Sequence, residues 1–99
     1  MQLTFFGHAC FHLETGQGEI LFDPFLTGNP MAAKTAQEVT ADALLISHGH
    51  GDHLGDGIGI SKRLGIPIVA TFELALYCEK QLFSSILFGI PACKGVEFG

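Results

Sequence analysis

The feature that most constrains this chain is a run of metal-binding side chains directly after a short apolar segment. The run is His48-Gly49-His50-Gly51-Asp52-His53, and it follows the apolar residues Ala43-Leu44-Leu45-Ile46. Three of the five histidines of the chain lie in this run. Imidazoles and carboxylates are ligands that zinc and similar divalent metals prefer, and the glycines let the backbone turn tightly around converging ligands. The run therefore predicts a metal site and favours hydrolytic chemistry.

Length and composition limit the chain to one small domain with few classes of partner. It has 99 residues, of which 47% are hydrophobic, so disorder through most of the chain is excluded. Ten acidic residues outnumber five scattered basic residues, so the sequence lacks the clustered positive charge that nucleic-acid binding requires. The N-terminus lacks the charged and apolar regions of a secretory signal, and no uncharged apolar stretch reaches membrane-spanning length. We expect a small-molecule substrate, no nucleic acid and no membrane.

The cysteines indicate a reducing compartment. Cys10, Cys78 and Cys93 are far apart and odd in number, so they predict neither a disulfide framework nor a paired-cysteine metal motif. We expect a cytoplasmic protein, in which Cys78 and Cys93 serve as small apolar residues.

Apolar and turn-forming residues predict an antiparallel start and then a βαβ unit. Strands are expected over 3–6, 10–14 and 19–22, followed by a loop over 26–34 and a helical turn within 35–40. A buried strand over 43–47 leads into the metal run, which is expected to be a loop. After it come a helix over 56–64 capped by Asp56 and stopped by Gly65, a strand over 66–70 and a helix over 72–80.

The spacing within the run suits two metals. His48 and His50 are two residues apart, so they project to the same side of an extended segment, whereas Asp52 and His53 are adjacent and diverge. Two metals about 3.5–4 Å apart can share a bridging hydroxide, and a zinc-bound water has a pKa near 7.

In its strand–loop–helix context, this run matches the H-x-H-x-D-H signature of the metallo-β-lactamase superfamily. The resemblance extends from residue 3 to about residue 80. One branch is especially similar, the metal-dependent hydrolases that resemble the ascorbate-6-phosphate lactonases. The segments that carry this similarity are Gly7-His8-Ala9, Phe22-Asp23-Pro24-Phe25-Leu26-Thr27-Gly28-Asn29-Pro30 and Phe72-Glu73-Leu74-Ala75.

The resemblance implies an α/β (α+β) fold, with residues 1–80 as the N-terminal half of an αββα sandwich: a mixed sheet with helices on one face. It also implies that His48 and His50 bind a first metal and that Asp52 and His53 bind a second. The cofactor would be zinc, as one or two divalent ions, with manganese as the alternative. Asp52 would also orient the nucleophile, Asp23 would be a supporting carboxylate, and His8 would lie near the same edge.

The chain also departs from the family pattern. Family members are roughly twice as long and supply a histidine, a bridging aspartate and a final histidine from their second half. No histidine follows His53 here, and no aspartate follows Asp56. Residues 81–99 are interpreted as a divergent apolar tail from truncation or a shifted reading frame.

Two hypotheses follow from the family resemblance and from the ligands that this chain lacks. The first is a hydrolase, or its N-terminal fragment, that attacks an ester, lactone or phosphoester with metal-bound hydroxide; alone it would be weakly active or inactive. The second is an inactive remnant that binds metal or self-associates through an exposed sheet, as a homo-oligomer.

Several side chains have a structural alternative to a functional role. Asp23 precedes a proline and could cap a turn. His8, Cys10 and His12 alternate, which predicts a shared strand face; a second zinc site there is the minority interpretation. Glu73 is better explained by the first turn of a helix. Asn29 could line a substrate pocket, but turn chemistry explains it equally well.

Overall fold

The computed structural model describes the backbone of residues 1–85 and the side chains of residues 1–82, and it shows one mixed sheet packed against helices. In chain order the elements are β1 (Gln2–Phe5), β2 (Phe11–Thr15), β3 (Gly18–Phe22), β4 (Ala43–Leu45), α1 (Gly51–Leu54), α2 (Gly57–Leu64), β5 (Ile68–Val69) and α3 (Phe72–Ser85). The strands lie side by side in sequence order. The pairs β1–β2 and β2–β3 are antiparallel, and β3–β4 and β4–β5 are parallel. The predicted α+β class with a mixed sheet is confirmed.

The register of the sheet gives it one buried face. Leu21, Leu44 and Ile68 are aligned across β3, β4 and β5, and all three are fully buried. They share one hydrophobic core with Ile60 of α2 and Leu74 of α3. Because these helices pack on the face that carries the aligned row, burial of this row is what holds the two layers together.

The opposite face of the sheet is apolar and open. A row of large side chains crosses all five strands in register: Phe5, Phe11, Phe22, Leu45 and Val69. Phe5 remains 55% exposed, and the Phe5 and Phe11 rings lie 4.9 Å apart. A groove of about 690 Å³ runs along this face. We call this row the apolar face.

Several predicted boundaries need correction. The strand expected over 66–70 is limited to Ile68–Val69. The strand expected over 43–47 spans only Ala43–Leu45; Ile46 N still donates to Val69 O at 3.0 Å, but the Ser47 amide donates to the Asp23 carboxylate. The metal run is not entirely loop, since α1 begins within it at Gly51 and Leu54 N donates to His50 O. The helix expected over 72–80 extends to residue 85.

Asp56 occupies the predicted cap position of α2, but its carboxylate serves another segment. It accepts hydrogen bonds from Leu26 N at 3.1 Å and from Thr27 N and Oγ1 at 2.8 Å each. Gly65 ends α2 in the left-handed conformation (φ +69°), as expected for a helix stop. Asp56 therefore ties the loop after β3 to the start of α2.

The helical turn expected within residues 35–40 is present, since Thr35 O accepts from Glu38 N and Val39 N. The tail predicted over 81–99 begins within α3 and otherwise lies outside the described residues, as does Cys93. None of the helices described is both long and apolar enough to cross a bilayer.

We expect Gly55→Ala to destabilise the domain by about 2–4 kcal/mol. Gly55 has a positive φ of +48°, and a Cβ there would lie 2.5 Å from Pro24 O and 2.6 Å from Phe25 Cα. Gly59→Ala is the matched control, because Gly59 lies on the exposed side of α2 and a Cβ added there would meet no atom within 4 Å. It should be neutral or stabilise by about 0.5–1 kcal/mol. Urea unfolding of both variants measures the difference, and equal midpoints would contradict the close approach of Gly55 to residues 24–25.

Candidate metal centre

The candidate centre forms where two parallel strands end at the same edge of the sheet. Asp23 directly follows β3, and Ser47 and His48 follow β4. The carboxyl ends of adjacent parallel strands emerge side by side, so residues 24 positions apart in sequence meet there. Asp23 N donates to Leu45 O at 2.8 Å, which continues the strand pairing up to the site.

Asp23 is the buried acceptor of this edge, with only 7% of its surface exposed. Its Oδ1 accepts from Ser47 N at 2.6 Å, and its Oδ2 accepts from Ser47 Oγ at 2.7 Å and from His53 Nδ1 at 2.8 Å. Its backbone is left-handed (φ +42°), which aspartate tolerates better than most residues. A carboxylate that accepts from the Nδ1 of a histidine fixes the ring so that Nε2 is free for a metal.

Ser47 orients the His48 ring in a similar way, through a hydrogen bond to its Nδ1. The His48 Nδ1 and Ser47 Oγ atoms are 2.8 Å apart. An ionised carboxylate only accepts, so the single hydroxyl proton of Ser47 points to Asp23. His48 Nδ1 must then donate to Ser47 Oγ, which leaves the lone pair on His48 Nε2. Sequence reasoning missed Ser47, although a hydroxyl residue directly before the first histidine of the run was a usable signal.

The run brings three imidazoles together. The ring centroids of His48 and His50 are 4.6 Å apart, and those of His48 and His53 are 3.9 Å apart. Asp52 lies on the other side of His53, with its Oδ1 3.7 Å from His53 Nε2. All four side chains named by the motif therefore lie at one edge of the sheet.

His8 enters the same cluster from the loop between β1 and β2. Its Nε2 is 3.1 Å from Asp52 Oδ2, and its ring centroid is 4.9 Å from that of His53. One ligand atom from each of His8, Asp52 and His53 lies within 4.8 Å of the other two. The expectation that His8 shares a strand face with Cys10 and His12 is wrong, because the chain turns through positive φ at Gly7 (+100°) and His8 (+57°).

The alternative zinc site at Cys10 and His12 is also wrong. His12 Nε2 lies 2.9 Å from Glu19 Oε1 and 3.1 Å from Thr40 O. Hydrogen bonds from the Thr40 hydroxyl and then His12 hold the pKa of Glu19 below its usual value. Cys10 is fully buried, and its burial, with the charge of Asp23, raises the pKa of the thiol to about 12. A thiol that stays protonated is a poor ligand and a poor nucleophile.

Asn29 and Glu73 have structural roles. The Asn29 amide donates to Phe6 O at 3.1 Å and Phe25 O at 2.9 Å, and its Oδ1 accepts from Met31 N at 3.0 Å. These hydrogen bonds agree with the turn role expected for Asn29, which is the alternative to lining a substrate pocket. Glu73 lies in the first turn of α3, where a negative charge is favourable.

The donor set at this edge fits a divalent metal ion. It combines imidazoles, two of them with Nδ1 already hydrogen-bonded, and an exposed carboxylate, which together are a typical ligand set for zinc and related ions.

Comparison with known proteins identifies the family. Residues 2–58 match the model of the beta-lactamase superfamily domain, which is more than half of the chain. The chain belongs to this superfamily. The family recognised from the H-x-H-x-D-H run is thereby confirmed.

Relatives of this chain are described as metal-dependent hydrolases. A UPF0173 metal-dependent hydrolase of Heliobacterium modesticaldum is 54% identical over 99 residues, which is 100% of this chain and 42% of the relative. A similar protein of Methanopyrus kandleri is 49% identical over 81 residues, covering 82% of this chain and 35% of the relative. This chain therefore spans well under half the length of these curated relatives.

A solved structure supports the fold. Igni18, described as a novel metallo hydrolase from the hyperthermophilic archaeon Ignicoccus hospitalis, superposes with a TM-score of 0.71 and 32% sequence identity. The match covers 80% of this chain and 35% of that chain.

We expect Asp23→Asn to move the proton of His53 from Nδ1 to Nε2. The amide of asparagine presents a donor where Asp23 Oδ2 now accepts from two donors, so His53 Nδ1 becomes the acceptor. The free energy of unfolding should fall by about 1–3 kcal/mol. The tautomer is measured by nitrogen-15 NMR of the imidazoles, on metal-free protein at a pH where these rings are neutral. Asp42→Asn is the control, because exposed Asp42 accepts from Glu19 N and makes no hydrogen bond to His53. An unchanged His53 tautomer in Asp23→Asn would contradict the assignment.

Proposed function

We propose that this chain carries the metal-binding part of a hydrolase that acts on an ester, lactone or phosphoester of a small molecule. The observation that carries the proposal is the buried Asp23 carboxylate, which accepts from His53 Nδ1 and, through Ser47, orients His48. Such a carboxylate behind imidazoles is costly to bury for structure alone, and it is the usual support of metal-binding histidines.

The roles of the side chains follow from their positions. His48 and His50 would hold a first ion through their ring nitrogens, and Asp52 and His53 would hold a second. Zinc is the ion that the ligand set favours, and manganese is the alternative. A divalent ion in this place supplies Lewis acidity and lowers the pKa of a bound water toward about 7.

Two carboxylates would act beside the ions. Asp52 is half exposed, at 48%, so it can reach a nucleophile or substrate as well as an ion, and it would orient the nucleophile. Asp23 is buried and would act by holding the imidazole rings in place during the reaction. His50 and Asp52 are exposed, so a small substrate would approach the cluster from the solvent side.

A reducing, cytoplasmic setting is part of the proposal. It is supported by Cys10, a fully buried thiol that forms no disulfide within the part of the chain that the structure describes. Thiols of this kind persist where disulfides do not form.

A second function is favoured by the apolar face. Phe5 in that row is 55% exposed and Phe11, Phe22, Leu45 and Val69 are partly exposed, and a contiguous exposed apolar patch is a common mark of an interaction surface. The chain would then be an inactive module that binds metal and self-associates through this face. Size-exclusion chromatography combined with a screen of esters, lactones and phosphodiesters separates the two functions. A metal-dependent, active monomer would refute the module, and an inert oligomer of one size would refute hydrolysis by this chain.

We expect the purified chain to bind zinc and the double variant His48→Ala plus His50→Ala to lose at least half of the bound ion. Two imidazoles are removed from the first of two sites, and a site without them keeps too few protein ligands. Metal analysis after equilibrium dialysis measures the content, and manganese is tested in parallel. His12→Ala is the matched control, since His12 is bonded to Glu19 and Thr40 instead. Equal metal content in all three proteins would refute the proposed site.

A further inference from the structure

The geometry points to His8 as a third protein ligand of the ion at Asp52 and His53, so that this chain by itself provides a three-ligand site. This inference rests on the proposed metal site and adds to it a residue outside the H-x-H-x-D-H run. His8 is 44 positions before Asp52 in sequence and reaches it from the β1–β2 loop.

The distances between the candidate ligand atoms fit a tetrahedral site. Metal–ligand bonds of about 2.0–2.1 Å at tetrahedral angles place neighbouring ligand atoms about 3.3 Å apart. His8 Nε2 and Asp52 Oδ2 are 3.1 Å apart, and His53 Nε2 and Asp52 Oδ1 are 3.7 Å apart. These two distances run to different oxygens of Asp52, so the carboxylate would bind through both oxygens or turn to present one of them to an ion between the two rings; one ligand atom of each residue already lies within 4.8 Å of the other two.

The backbone of His8 is held in a conformation that requires support. A non-glycine residue at φ +57° lies in the sparsely populated left-handed region and carries an energetic cost, which is smaller for histidine than for most residues. Gly7 makes the turn possible, because a Cβ at that position would lie 2.6 Å from Met31 Cβ. The His8 ring packs edge-on against Phe25, with centroids 5.7 Å apart. The fold thus tolerates a strained residue at the position that presents an imidazole toward Asp52.

A simple ion pair between His8 and Asp52 does not account for this cost. The two side chains are 40% and 48% exposed, and ion pairs between groups as exposed as these contribute little to stability. A metal–ligand bond is stronger, and zinc sites usually have at least three protein ligands, with a further position open in catalytic sites. Asp52 and His53 provide two, and His8 would complete the set of three.

The test compares His8→Gln with His12→Gln, which remove the same ring from two places. Glutamine can still hydrogen-bond to Asp52, so the comparison separates ligation from hydrogen bonding. Zinc affinity is measured by competition with a chelating dye, using the complete chain. We expect His8→Gln to weaken the affected site more than about 100-fold, beyond the loss typical of supporting residues, and His12→Gln to bind as the parent chain does.

Nitrogen-15 NMR gives a second readout that does not depend on a variant folding. On zinc titration of the parent chain, His8 Nε2 should shift together with His53 Nε2. Shifts at His48, His50 and His53 with none at His8, or equal affinities for both glutamine variants, would overturn the role of His8 and leave the proposed metal site intact. No shift at any of these histidines would refute the metal site itself. If His8→Gln fails to fold, His8→Asn replaces it, because asparagine accepts the left-handed backbone.

Discussion

The buried carboxylate of Asp23 is the interaction on which the arrangement of this edge depends. It connects the end of β3 to the end of β4 through Ser47 and to α1 through His53. Because it accepts from three donors at once, loss of any one of them leaves a buried charge partly unsatisfied, which is expensive. The same bonds that hold the segments together also fix the ring orientations of His48 and His53, so stability and site geometry are coupled here.

Much of the site can be predicted from the sequence because it is local. The four side chains between His48 and His53 are close in sequence, and a strand before them and a helix after them leave few ways to arrange them. The position of Asp23 after a strand is a further indication, since ends of parallel strands meet at one edge. The antiparallel start and the βαβ pattern predict strands that pair in both directions, and the family resemblance implies the mixed sheet with helices on one face.

The features that sequence reasoning missed depend on contacts between distant segments or on a single unusual torsion. The sequence pattern places His8 on a strand face with Cys10 and His12, and only the left-handed turn at Gly7 and His8 separates them. The same reasoning makes the Asp56 carboxylate a cap of α2, but it accepts from residues 26–27, 29–30 positions earlier in the chain. Neither outcome follows from local propensity, because each is decided by which segment packs nearby.

The wide separation of the site residues along the chain has a consequence for folding. Asp23, Ser47 and His53 meet only after β3, β4 and α1 have assembled, so an incompletely folded chain cannot present the converged ligands. An ion that prefers the assembled cluster would add to the free energy of unfolding, by about 2.7 kcal/mol at a free concentration one hundred times its dissociation constant. Metal supply would then influence how much of this protein survives heat or proteolysis, independently of any turnover.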